Sequence, residues 1–174
     1  MKNIDRFQPP NILIEMFCRE SNGIESIAEG KLNPWEVYNG HLNPADIGIC
    51  RNVLAFAHNN KPLNEAILLD FHKKFCQDLG VDWAGKYRSV ELISPPNTVK
   101  AGLVPHVIHN FMLDWPTLNA WEAYHRFERI HPFVDRNGRV GRVLWLWKAL
   151  QEGWNWQHGF LQEYHYQTLR NIKR

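Results

Sequence analysis

The turn Asp135-Arg136-Asn137-Gly138 divides this sequence more firmly than any other feature. Asn-Gly favours a tight reversal, so no helix is expected to run through it. Apolar residues recur at helical spacing on both sides. One helix is therefore expected from Thr117 to Ile130, with Ala120, Tyr124 and Phe127 on one face. A second is expected from Arg139 to Glu152, stopped by Gly153. Val143, Leu144 and Trp147 are expected on its buried side.

The same alternation of helix and breaker runs along the chain. Asn43-Pro44 followed by Asp46 is a helix start: Asn caps, Pro suits the first turn, and the acid favours the positive end. That helix should reach about His58, where Asn59-Asn60-Lys61-Pro62 breaks it. Leu63, Ile67, Leu68, Phe71 and Phe75 give another, up to Gly80, and Phe160 to Ile172 a last one. The fold class is all-α, mainly helical, in a single domain over residues 1–174 with no repeat or low-complexity tract. One stretch, 87–104, departs from it. Pro95-Pro96 and Gly102 forbid a helix across it, and Ser89 to Ile93 and Val99 to Val104 suggest a short β-hairpin or irregular flap.

Composition narrows the function classes. A formal charge of +2 and no basic stripe interleaved with aromatics argue against nucleic acid. The most apolar run, Val143 to Trp147, is too short to span a bilayer, and Met1 to Pro10 lacks a signal-peptide core. Cys18, Cys50 and Cys76 fit neither a disulfide framework nor a zinc spacing. The expectation is a cytoplasmic protein with no membrane partner. His106 and His109 lack a third ligand and read as ordinary surface or core residues.

The chemistry lies in residues 131–142. A turn feeding a helix N-terminus directs backbone N–H groups outward and makes an anion site with the helix dipole. Arg139 and Arg142, three apart, lie on one face near that end, where positive charge opposes the dipole. A polyanion seated between them removes the conflict. Asp135 can bind Mg²⁺, which takes one or two carboxylates plus phosphate oxygens and water. His131, with an ordinary pKa of about 6.5, can take a proton from a hydroxyl near neutral pH. Phe133 anchors the loop in the core.

These residues resemble the signature of the Fic family, His-Pro-Phe-x-(Asp/Glu)-Gly-Asn-Gly-Arg-x-x-Arg. His131, Pro132, Phe133, Asp135, Asn137, Gly138, Arg139 and Arg142 match it. Ala84-Gly85-Lys86-Tyr87-Arg88, Trp115 and Phe127-Glu128-Arg129-Ile130 also fit, and the likeness spans roughly Glu15 to Leu169. The resemblance implies a Fic fold, a helical bundle with a β-hairpin flap. It implies a protein adenylyltransferase that moves AMP from ATP to a Tyr, Ser or Thr hydroxyl of a target protein, the chain itself included. His131 would be the general base, and Asp135 would hold Mg²⁺ on the α- and β-phosphates. Asn137, Gly138 and Arg139 would cradle the phosphates, Arg142 would meet the γ-phosphate, and Tyr166 would contact the adenosine, with His165 beside it as the alternative. Ser94, Pro95, Pro96 and Asn97 of the flap would clamp the target. A homo-oligomer is compatible with this reading.

The sequence departs from the signature at Arg136, where the family has glycine. Glycine permits positive φ and close approach of phosphate to the backbone. Arginine either changes the turn and crowds the anion site or adds a cation for phosphate. The resemblance also implies an inhibitory helix, here within residues 11–30, carrying (Ser/Thr)-x-x-x-Glu-(Gly/Asn). Ser21 and Glu25 match it, with Ser26 at the last position; Glu29-Gly30 is the alternative. The inhibitory glutamate would occupy the face of Arg142 that a phosphate needs. Related chemistry on the same site, phosphoryl transfer or AMP removal, and a silent binding module spoiled by Arg136 are the competing readings.

Overall fold

The computed structural model describes residues 5–93, 95 and 98–172. Seven α-helices follow one another: α1 (Asn11–Ala28), α2 (Pro44–His58), α3 (Glu65–Phe75), α4 (Val104–Asp114), α5 (Ala120–Ile130), α6 (Asn137–Gln151) and α7 (Phe160–Ile172). Short 3₁₀ turns precede α2, α4 and α5. The helix starts have local causes. Asn43 accepts from Ala45 N and Asn64 from Ile67 N, while Asn119 and Glu122 cap α5 reciprocally.

α6 is the axis of the bundle, packed against α5, α2, α3 and α1. Its residues 140–150 are all buried, Arg142 and Lys148 included. The expected one-sided burial through Val143, Leu144 and Trp147 is thus exceeded: helices enclose α6 on every side. Lys148 can be buried because its Nζ donates to Trp115 O at 3.1 Å and lies over the Trp115 ring. Trp145, Trp147, Phe71, Phe111, Phe127 and Phe133 are the largest fully buried side chains. Each contributes roughly 1.5–3 kcal/mol by leaving water.

Two expectations are corrected. No strand occurs among the described residues of 87–104, so the flap is not a β-hairpin there. Its backbone groups bond elsewhere: the Arg88 guanidinium donates to the carbonyls of Val90 and Val99, and Ala101 N donates to the Glu91 side-chain carboxylate. From Ala101 the chain turns helical. Pro105 lies in the first turn of α4, where a missing N–H breaks nothing. Ser94, Pro96 and Asn97 lie outside the described residues, and Pro95 is half-buried. α6 also starts at Asn137, two residues earlier than expected.

α1 docks through a run of polar residues. Glu20, Ser21 and Asn22 are buried beside Gly23. A Cβ on Gly23 would overlap the Val37 backbone, so glycine alone lets α1 and the 34–39 turn touch. Glu20 accepts from the amides of Phe160 (2.7 Å) and Leu161 (3.1 Å), capping α7 from a neighbouring helix.

Candidate functional site

α5 ends on His131, which takes left-handed backbone angles (φ 48°, ψ 62°). A non-glycine residue there is strained, and the surroundings must hold it. Arg88 does so. It is 2 % exposed, donates through Nε to His131 O at 2.8 Å, and its own amide donates to Pro132 O. On the ring, Nδ1 lies 3.2 Å from Glu128 O. A carbonyl only accepts, so Nδ1 carries the hydrogen and Nε2 keeps its lone pair. Burial lowers the His131 pKa, so the neutral ring is favoured near neutral pH.

His72 holds the next part of the loop. It is fully buried, and its ring stacks on Phe133 at 3.7 Å with planes 4° apart. Gly85 N donates to Nδ1 at 2.9 Å, so Nε2 bears the hydrogen and donates to Asp135 O at 3.2 Å. Burial brings the His72 pKa down to about 4. The Asn137 amide accepts from Phe133 N and donates to Phe133 O, both at 2.9 Å. Its side chain therefore shapes the loop, and its backbone N–H is what it offers to a ligand.

Arg136 occupies the boundary before α6 at φ 64°, ψ 11°. This is the left-handed conformation for which glycine is the usual choice. Arginine keeps the turn instead of changing it. Its guanidinium turns to Asp78 at 3.3 Å, and its amide donates to Asp135 Oδ1 at 2.6 Å. Asp135 is exposed, with Oδ2 left for a cation.

No side chain caps the N-terminus of α6. The carboxylate of Glu25 comes there from α1: Arg142 NH2 reaches its Oε1 at 2.5 Å, and a Cβ on Gly138 would overlap that oxygen. Ser21 completes the grip, its Oγ accepting from Arg142 Nε at 2.8 Å and its carbonyl from NH2 at 2.9 Å. Arg139 Nε donates to Asn22 Oδ1 at 2.6 Å, and Asn22 is braced by Asp46 and the His41 carbonyl. Glu29 instead pairs with the exposed Lys31, so the acid on Arg142 is Glu25. Burial first, then the guanidiniums of Arg136 and Arg142, pull the Arg139 pKa below its ordinary value. A crowded group of cations at an uncapped helix start, already holding one carboxylate, suits a polyphosphate.

The structure thus gathers His131, Asp135, Asn137, Gly138, Arg139, Arg142, Ser21 and Glu25. Tyr166 is not brought to them: it is 48 % exposed, its ring beside His158 and His165. His72 has no signal in the sequence, and Glu128 enters there only as part of the matching helix end 127–130; each sits in an ordinary helical pattern and acts through a distant or backbone contact.

Residues 62–148, half of the chain, match the model of the Fic/DOC family. The chain belongs to the Fic/DOC family. Solved Fic proteins share its fold. A Fic domain containing signaling protein from Bacteroides thetaiotaomicron is 16 % identical with a TM-score of 0.58, aligned over 83 % of this chain and 65 % of its own. A Fic family protein from Desulfovibrio desulfuricans is 24 % identical with a TM-score of 0.50, over 84 % and 50 %. Fic-1 from C. elegans is 16 % identical with a TM-score of 0.51, over 83 % and 49 %. The chain spans about half to two thirds of the length of these Fic structures. No curated protein matches it. No helix among the described residues is long and apolar enough to cross a membrane.

Proposed function

We propose that this Fic-domain chain is a protein adenylyltransferase that Glu25 restrains. The Fic/DOC family transfers nucleotide or phosphate groups onto proteins. The observation that carries the finer reading is the seated Glu25 carboxylate. It supports the reading because a carboxylate already lies at the start of α6, against Gly138 and Arg142, within the motif that His131 opens.

In the proposed reaction the target hydroxyl gives its proton to His131 Nε2, the nitrogen left free by the Nδ1 contact. The hydroxyl oxygen bonds to the α-phosphorus of ATP, the bond to the β-phosphate oxygen breaks, and pyrophosphate leaves. Arg139, Arg142 and the free amides of Asn137 and Gly138 neutralise the phosphates and fix their position, which is most of what such a transfer requires. Asp135 would hold Mg²⁺, which supplies further charge neutralisation. The donor set fits such an ion: one exposed carboxylate, with phosphate oxygens as the remaining ligands. Glu25 blocks the face of Arg142 that the γ-phosphate would use. Arg136 keeps the left-handed turn, an argument against a silent site.

Intact-mass spectrometry of the Glu25→Gly variant, incubated with ATP and Mg²⁺ with and without candidate targets, tests this reading. An adenylyl gain larger than in the wild type supports it. A phosphoryl gain points to the related transfer chemistry. No gain in either protein overturns it in favour of a binding module.

A further inference from the structure

Glu128 has no place in the scheme above, yet it lies against His131. Its Oε2 is 3.6 Å from His131 Nδ1, and its own backbone carbonyl is the nearer partner of that nitrogen at 3.2 Å. Its Oε1 is shielded from water and has no hydrogen-bond partner. An orphaned carboxylate oxygen is costly to bury and calls for an explanation. Room has been made for it. A Cβ at position 141 would overlap Oε1, so Gly141 lets the acid press against α6 beside Arg142. The contact is too long for a hydrogen bond in this state but well within the range of an ion pair.

We propose that Glu128 is the positioning residue of His131, a carboxylate held ready to take up the charge of the imidazolium. The inference rests on His131 being the base. While the ring is neutral, Nδ1–H points to the Glu128 carbonyl and the carboxylate stands by. When Nε2 accepts the hydroxyl proton the ring gains a full positive charge, and Oε2 is the nearest anionic atom to Nδ1. The proton stays on the ring. Glu128 acts through the stability and orientation of that cation and does not touch substrate.

The charged groups around Glu128 make its strength adjustable. Arg142 from α6 favours its ionised form, and Glu25 from α1 opposes it, while Tyr124 and His131 face it from α5. Burial is the largest influence and raises the Glu128 pKa to about 7. The carboxylate is ionised above that pH, and the imidazolium charge that forms beside it favours the ionised form further.

The test is an NMR titration of the His131 ring in isotopically labelled full-length protein, wild type against Glu128→Gln, without nucleotide. Glutamine keeps the shape and the Nδ1–carbonyl contact but removes the charge. The expected result is a weaker proton affinity of His131, by about tenfold, with the Nδ1–H tautomer unchanged. An unchanged affinity overturns the proposal. Glu128→Asp, which restores a carboxylate, should recover most of the affinity; failure to do so when Glu128→Gln has lost it also overturns the proposal. In the Glu25→Gly background, Glu128→Gln should lower kcat for adenylyl transfer about tenfold with KM for ATP unchanged. A change confined to KM overturns it. The titration needs no turnover, so it judges the Glu128–His131 pair even if the transfer reaction itself is disproved.

Discussion

His131, Phe133 and Asp135 are held by His72 and Arg88 through backbone carbonyls and ring stacking, whereas Arg139 and Arg142 are held by side chains of α1. The first set is dry and fixed: Arg88 and His72 are at most 2 % exposed, and the His72 tautomer is set from both nitrogens. The second set is held from outside the core, by side chains of a neighbouring helix. The Glu25 side chain remains 29 % exposed, and under the proposed function its oxygen holds the place of a phosphate. The geometry of the loop belongs to the core, while the proposed function makes occupancy of the arginines a competition between Glu25 and phosphate.

Breaking the fixed side should do the most damage. Arg88→Ala strips donors from the carbonyls of His131, Val90 and Val99 and releases a strained His131. The expected loss is about 3–5 kcal/mol, read as a lower urea midpoint. An unchanged midpoint would show that water replaces the guanidinium without penalty.

Acid should attack the same side. The folded pKa of His72, about 4, lies below the ordinary value of 6.5. Its neutral form therefore contributes stability that is present above pH 6.5 and lost as pH falls toward 4, about 3 kcal/mol in all. Glu128 works in the opposite sense. Its pKa is raised to about 7, so its contribution is present below pH 4.5 and lost as pH rises toward 7. The two slopes offset each other in the wild type. The difference between wild type and His72→Gln across pH 4 to 7 should isolate the first, and a pH-independent difference would contradict it.

The side held by α1 should respond in activity more than in stability. Glu25→Gly removes a charge-assisted bond of about 1.5–3 kcal/mol, so transfer at limiting ATP should rise about tenfold to a hundredfold. Asn22→Ala, which loosens Arg139 without freeing Arg142, should raise it less. The smallest effect is expected at Arg136. Arg136→Gly relieves a left-handed arginine, about 1 kcal/mol, and gives up a surface ion pair with Asp78 that is worth less. Its thermal midpoint should rise slightly and its transfer activity hold or increase. A loss of ATP binding would make Arg136 a phosphate ligand.

The two sides also differ in how far they could be read from the residues. α2 and α7 are found where the caps and periodicity placed them, because Asn43-Pro44 and the apolar spacing are local signals. Glu25 was legible only through the resemblance to the family's inhibitory motif, in which Ser21 stands four residues before it, and the helix of α1 puts both on one face. α4 was not: the stretch interrupted by Pro95-Pro96 and Gly102 reaches only as far as Val104, where α4 begins, and the apolar positions beyond it are not read as a helix. Nor were His72 and Glu128. Their roles depend on a stacking partner 61 residues away and on a gap left by Gly141, and neither leaves a pattern in the nearby sequence.

The grip of Glu20 on α7 has a consequence for any release of α1. Glu20, Ser21 and Glu25 share one helix, but Glu20 faces α7 while Ser21 and Glu25 both face Arg142. A swing of the Glu25 side chain alone opens the anion site and leaves the start of α7 intact. Departure of α1 as a rod withdraws Glu20 as well, and the amides of Phe160 and Leu161 lose their acceptor. Amide exchange at those two positions is therefore a remote gauge of the route taken: silent for a local swing, quickened for a lever.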